Sequence, residues 1–165
     1  MSIQRLLAVA LIASLFLLAS PGARAADDRA VLEGLKDGKI VFDITQDEGK
    51  ALLDRLVAVQ ETRKALAAQG VTPHLVVTFR GGATRLVQTD PEKVKPEDRP
   101  LLPQIAAKLA ELGKTAGIES VEQCGAAVRK HGTNPELVMP PIKVVGNSFI
   151  SLMAYQSRGY AYIRP

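Results

Sequence analysis

Cys124 is the only cysteine in the chain, and Gly125 follows it directly. The thiolate is the nucleophilic form, so any chemistry here depends on surroundings that lower a thiol pKa normally near ~8.5. Without a second cysteine, neither an internal disulfide, a CxxC redox pair nor a multi-cysteine metal site can form. What remains open to the sulfur is a persulfide, a mixed disulfide with a partner, or an inert buried SH that packs as a small hydrophobe. Gly125 adds no side chain, which would let a substrate or a partner thiol come close. His131 lies seven residues beyond the cysteine and His74 opens an apolar run. One Cys with two His at these spacings matches no established ligand pattern, so the residues specify neither a metal nor a cofactor. Gly81-Gly82 closes an apolar run as a turn or as the edge of a pocket, and GxGxxG is absent. Asp43 and Asp47 bracket the end of another run, as lone carboxylates that more often cap or meet solvent than catalyse.

These side chains need elements to position them. Lys39 to Ile44 is a short apolar, β-branched run with the profile of a buried strand. Asp47 and Glu48 can cap and charge a helix that runs to about Gln69, with Leu52, Leu53, Leu56, Val57, Val59 and Leu66 as its stripe, Gln60 and Arg63 intruding, and Gly70 as its stop. His74 to Phe79 is a second strand, and Thr84 to Gln88 is one helical turn. Four prolines among charges make Asp90 to Pro103 an exposed loop, after which Leu101 to Ala116 returns to helical spacing and stops at Gly117. Gly117 to Gly132 allows two readings. One is a continuous helix with Ile118, Val121, Cys124 and Val128 on one face. The other is a strand from Ile118 to Gln123, a turn at Cys124-Gly125 and a helix from Ala126 to Lys130. A glycine in mid-helix costs only about 1 kcal/mol, too little to decide. Lys143 to Gly146 is a strand, Ser148 to Ser157 a helix, and Tyr160 to Ile163 a final strand with Tyr160 and Tyr162 on one face. Short apolar runs alternating with helices predict a parallel sheet covered on both sides.

Composition bounds the class. The 165 residues are 47% apolar, 23% charged and 4% aromatic, values of a globular chain whose core is built from Leu, Val, Ile and Ala. Met1 to Ala25 has the pattern of a secretory signal: Arg5, an apolar Leu6 to Ala19, Pro21-Gly22, then Ala23-Arg24-Ala25 as a cleavage site. Fourteen residues, apolar except for Ser14, at ~1.5 Å each fall short of a ~30 Å bilayer core, so the expectation is cleavage after Ala25, a periplasmic product and no membrane attachment thereafter. Without Arg5 and Arg24, 19 basic residues face 17 acidic ones, a net charge of +2. That balance, with no basic run, argues against nucleic acid as a partner. Most periplasmic thiols are oxidised, so a solitary one there calls for a role.

The closing Gly159-Tyr160-Ala161-Tyr162-Ile163-Arg164-Pro165 after an amphipathic helix, the Cys124-Gly125 pair and the opening Lys39 to Ile44 strand together resemble DsrE/DsrF-like proteins. The resemblance runs from Lys39 to Pro165 and implies an α/β fold: a three-layer α/β/α domain on a mainly parallel five-stranded sheet. It divides the chain into a signal (1–25), a loosely held segment (26–38) and the domain (39–165). It also favours strand, turn and helix over Gly117 to Gly132. Family members form trimers or hexamers, and the best understood relay sulfur by holding it as a persulfide on one cysteine, a position that would correspond to Cys124. The implied activity is that of a sulfur carrier or sulfurtransferase, with a sulfur donor or acceptor protein as partner and a homo-oligomer as the assembly. The alternative is a periplasmic module that binds a small ligand or partner without catalysis, its cysteine being structural.

Overall fold

β1 (Asp37–Ile44) begins exposed and ends with four consecutive buried residues, and β2 (Thr72–Phe79) and β3 (Ile118–Cys124) repeat the pattern. Burial on both faces is that of a covered parallel sheet, and the buried segments are mainly apolar but take in Asp43, Thr78, Glu122 and Gln123. The computed structural model describes residues 27–165, so the export signal read from Met1 to Ala25 lies outside the described residues. Arg29 to Gly34 is a run of turns, with Asp27 holding Arg29 at 2.7 Å, and the α/β unit runs from Gly34 to Pro165.

Five parallel strands stand in the order β4-β3-β2-β1-β5, with β4 at Lys143–Val145 and β5 at Ala161–Ile163. The helices are α1 (Gly49–Ala68), α2 (Ala83–Leu86), α3 (Leu102–Leu112), α4 (Gly125–His131) and α5 (Ser148–Ser157). One face of the sheet carries the main core, where Phe42, Ile44, Leu75, Val77 and Phe79 meet Leu52, Leu56 and Val59 of α1 and Ile105, Leu109 and Leu112 of α3. The other face is thinner: Val41 and Val76 pack under Leu152 of α5, flanked by Tyr155 and Tyr160. This is the expected three-layer arrangement with a five-stranded parallel sheet.

Several local expectations change. Neither Asp47 nor Glu48 caps α1; Asp98 does so from 49 residues away, its Oδ1 accepting from Gly49 N–H at 2.8 Å. Asp98 belongs to the proline-rich stretch, which is not the exposed loop its composition suggests. It forms two 3₁₀ turns and buries Val94 and Asp98. Val57, assigned to the apolar stripe, is 40% exposed, whereas Gln60 is buried and donates to Thr115 Oγ1 at 3.2 Å. A polar residue enters the face because a partner waits on the next segment. α3 ends at Leu112, four residues short of the predicted Ala116. Gly117, at φ +89°, turns the chain into β3, where Pro73 atoms only 2.7 and 3.0 Å from a notional Cβ leave room for no side chain. Tyr160 precedes the final strand rather than lying in it.

At the amino-terminal rim, His74 joins three strands: its Nδ1 is 2.6 Å from Glu119 and its Nε2 3.1 Å from Asp37. Tyr160 donates its hydroxyl to the same Glu119, and burial together with that carboxylate raises its pKa to about 12. The two carboxylates, Glu119 first, raise the His74 pKa above its ordinary value of about 6.5. A raised imidazolium pKa means that the native state holds the proton more tightly. Its contribution is therefore complete below about pH 6.5 and disappears as pH rises through the native pKa. His74→Gln should lower stability to urea at about pH 5.5 by less than about 1 kcal/mol, since the cluster is half exposed, and the difference from wild type should shrink toward alkaline pH. A gap that widens with pH would show that the imidazolium does not make this contact.

Candidate functional site at the carboxyl ends of the strands

Ile44, Phe79, Cys124 and Val145 end their strands along one rim, the side on which open parallel sheets take ligands. β3 runs through Cys124 itself and α4 starts at Gly125, so the cysteine is the N-cap residue (φ −69°, ψ 112°) instead of the first half of a turn. Its sulfur is met from two directions. The backbone N–H of Ser148, first residue of α5, donates to Sγ at 3.4 Å, and the N–H groups of Ala126 and Ala127 face it from α4. The Ser148 hydroxyl also favours the thiolate. Ser148 is fully buried, and its Oγ has no hydrogen-bond partner of good geometry, which leaves the hydroxyl free to turn to the sulfur. Burial alone would raise the thiol pKa, but these donors outweigh it and hold Cys124 below its ordinary value.

The thiol is 4% exposed, yet it is not sealed. It lines a cavity of about 210 Å³ together with Arg80, Gly81, Ala126, Lys130, His131 and Phe149. Arg80 is fixed at this wall. Its Nε and Nη2 reach Asp43 at 2.7 and 2.5 Å, and the guanidinium lies 4.9 Å over the Phe149 ring. Asp43 is fully buried and also accepts from the Tyr162 hydroxyl at 2.6 Å, so it is neither a cap nor a solvated carboxylate as its position in the sequence suggests. Asp47 stands apart in solvent, 3.5 Å from Lys95. His131 is tied down as well. Arg85 Nη1 donates to its Nδ1 at 3.0 Å, and burial, then the charges of Arg85 and Lys130, push its pKa below the ordinary value. A ring that accepts from arginine is neutral, and it braces α4 against the segment after β2.

His74 belongs to the opposite rim, about 20 Å along the strands from the sulfur, so Cys124, His74 and His131 do not assemble into one site. Among the described residues no group of three or more His, Cys, Asp or Glu side chains could hold a metal ion. Gly81 lines the cavity at φ +57°, while Gly82 packs against the Asp47 backbone, where a notional Cβ would lie 2.8 Å from Cα. Sequence reasoning missed Arg80, Lys130, Ser148 and Phe149. Arg80 carried a faint signal as a lone charge between an apolar strand and a glycine pair; Ser148 gave only a helix start. It also missed Glu122, buried on β3 and accepting from Ser120, Ser151 and Tyr155, which fastens α5 to the sheet beside the site.

A parallel α/β domain with a single cysteine at its strand-end rim defines a class, and comparison with known proteins supplies the family. The chain matches the DsrE/DsrF-like family over residues 44–165 and belongs to it. It is 25% identical over 125 residues to an uncharacterized protein of Aquifex aeolicus (strain VF5), a match covering 76% of this chain and 55% of that protein. The chain thus spans about half the length of that curated relative. Its fold is similar to that of a protein of unknown function from Methanobacterium thermoautotrophicum, with a TM-score of 0.61 at 19% identity, covering 78% of this chain and all of the other.

Proposed function

We propose that this chain is an exported DsrE-like sulfur carrier or sulfur-transfer protein that holds sulfane sulfur as a persulfide on Cys124. The observation that carries the reading is the convergence of the Ser148, Ala126 and Ala127 donors on a sulfur that lines an open cavity. Donors that stabilise a thiolate create the nucleophile that sulfur transfer needs. The thiolate attacks the outer sulfur of a donor persulfide, the donor's S–S bond breaks, and the donor thiolate leaves. Cys124 then carries the new S–S bond and its negative charge, which an acceptor thiolate removes by the same exchange. The signal-like Met1 to Ala25 supports export to the periplasm. A face of α5 that exposes Phe149, Ile150 and Met153 supports a homo-oligomer, since monomers seldom leave such neighbours uncovered.

Intact-protein mass spectrometry after exposure to a low-molecular-weight persulfide tests the reading. Wild type should gain the mass of one sulfur and Cys124→Ser none. Alkylation by iodoacetamide should reach half its limiting rate below about pH 8.5. No gain by wild type, or an equal gain by the variant, would refute the carrier role. The 4% exposure of the thiol favours one competing reading, a binding module with a structural cysteine. In that case the thiol would stay inert until the protein unfolds.

A further inference from the structure

The wall of the Cys124 cavity carries Arg80, Lys130 and the neutral His131, and no carboxylate is among its lining residues. Asp43 balances Arg80 from behind and, with Tyr162, prevents its guanidinium from swinging away. Lys130 is exposed and has no carboxylate within 4 Å among the described residues, and Arg85 spends its hydrogen bond on an uncharged imidazole. One cationic charge on the cavity wall, Lys130, thus remains uncompensated, and a second, Arg85, is held on His131 outside the lining. Beside the sulfur, the fully buried Ser148 hydroxyl has no partner of good geometry, a donor that the thiolate or an anion against it can take up. At about 210 Å³ the cavity is below the ~300–1,000 Å³ of sites for drug-sized ligands, which suits an ion of a few heavy atoms.

Building on the sulfur-handling reading, we infer that this cavity admits a small, multiply charged sulfane-sulfur oxyanion of the thiosulfate class, its oxyanion end held by Lys130 and Arg80 and its sulfane sulfur delivered to Cys124. The step balances without an external oxidant. The Cys124 thiolate attacks the sulfane sulfur, the bond from that atom to the sulfonate sulfur breaks, and its electron pair leaves with sulfite. Cys124 keeps the sulfane sulfur as a persulfide anion, and the total charge is unchanged. Lys130 attracts the dianion and helps the departing sulfite to carry its charge.

Two measurements on the mature chain test this, one of them independent of sulfur transfer. Iodoacetate and iodoacetamide alkylate the same thiol and differ in charge. Their rate ratio on Cys124 should exceed that on free cysteine by about tenfold and fall back toward it in Lys130→Gln, while the iodoacetamide rate stays the same. Thiosulfate should add one sulfur to wild type with one sulfite released, and Lys130→Gln should raise the half-saturating concentration about tenfold. A ratio no higher than that of free cysteine would overturn the anion site. An absence of gain from thiosulfate would overturn the donor class, and if the low-molecular-weight persulfide still loads Cys124, the carrier role itself stands. If neither donor loads it while the iodoacetate preference persists, the carrier role has failed and with it this donor class.

Discussion

Asp43→Ala lowers the stability of this domain by about 3 kcal/mol in urea-induced unfolding at neutral pH, the largest loss expected of any single polar substitution here. Asp43 has no exposed surface and faces the Arg80 guanidinium through two hydrogen bonds of 2.7 and 2.5 Å. Removing one member of a buried pair leaves the other charge without compensation, at a cost of roughly 3–5 kcal/mol. The lower end applies because Arg80 keeps a fifth of its side chain in solvent and can recover some hydration. The Tyr162 hydroxyl loses its acceptor in the same step. Arg80→Met in the Asp43→Ala background should recover part of the loss, since the orphaned cation is then gone, and the coupling should exceed about 1 kcal/mol in a double-mutant cycle. A single-variant cost under about 1 kcal/mol would mean that the pair contributes nothing beyond a surface ion pair.

Gly125→Ala carries the second large effect, and the reason differs from the one its position in the sequence suggests. Beside a reactive cysteine, a glycine looks like clearance for a substrate. A Cβ built on Gly125 instead meets the Val145 carbonyl at 2.6 Å and the Gly146 carbonyl at 3.2 Å, both backbone atoms of the neighbouring β4 segment. Backbone cannot rotate aside as a side chain can. The helical conformation of Gly125 is one that alanine prefers by about 1 kcal/mol, but overpacking costs typically 1–3 kcal/mol and should win. The expected net loss is about 1–2 kcal/mol. The segment pushed away leads directly into Ser148, whose N–H is 3.4 Å from the sulfur. Moving that donor removes part of what holds the thiol pKa down, so the pH midpoint of Cys124 alkylation should rise toward that of an ordinary thiol. Loss of stability with an unmoved midpoint would show that the β4–α5 junction does not tune the cysteine.

β1 and β2 were legible because both their faces are buried, which makes Val41 to Ile44 and Leu75 to Phe79 short, mainly apolar runs broken only by Asp43 and Thr78. The heart of α3 was legible because Ile105, Leu109 and Leu112 recur at the spacing of one helical face. The cap of α1 was not, since Asp98 is remote in the chain and looks like any charge in a proline-rich stretch. Asp43 was misjudged for a related reason. A lone carboxylate near the end of an apolar run resembles a capping group, and only Arg80, just past the end of the next strand, makes its burial tolerable. Gln60 likewise looked like an intruder on its stripe until Thr115 stood opposite.

By itself, the order of residues determined the layered α/β architecture, the family and the single sulfur worth attention. The architecture and the sulfur follow from local periodicity, from turn residues and from the count of one cysteine. The family follows from the resemblance of the opening strand, the Cys124-Gly125 pair and the closing stretch. None of these needs long-range information. Only the tertiary structure decided the environment of that sulfur. Its donors come from Ala126 and Ala127 on one side and from Ser148, 24 residues on, while Arg80 reaches the same cavity from another strand. Electrostatic tuning depends on distance through space, and parallel strands bring together chain segments that sequence separation keeps apart.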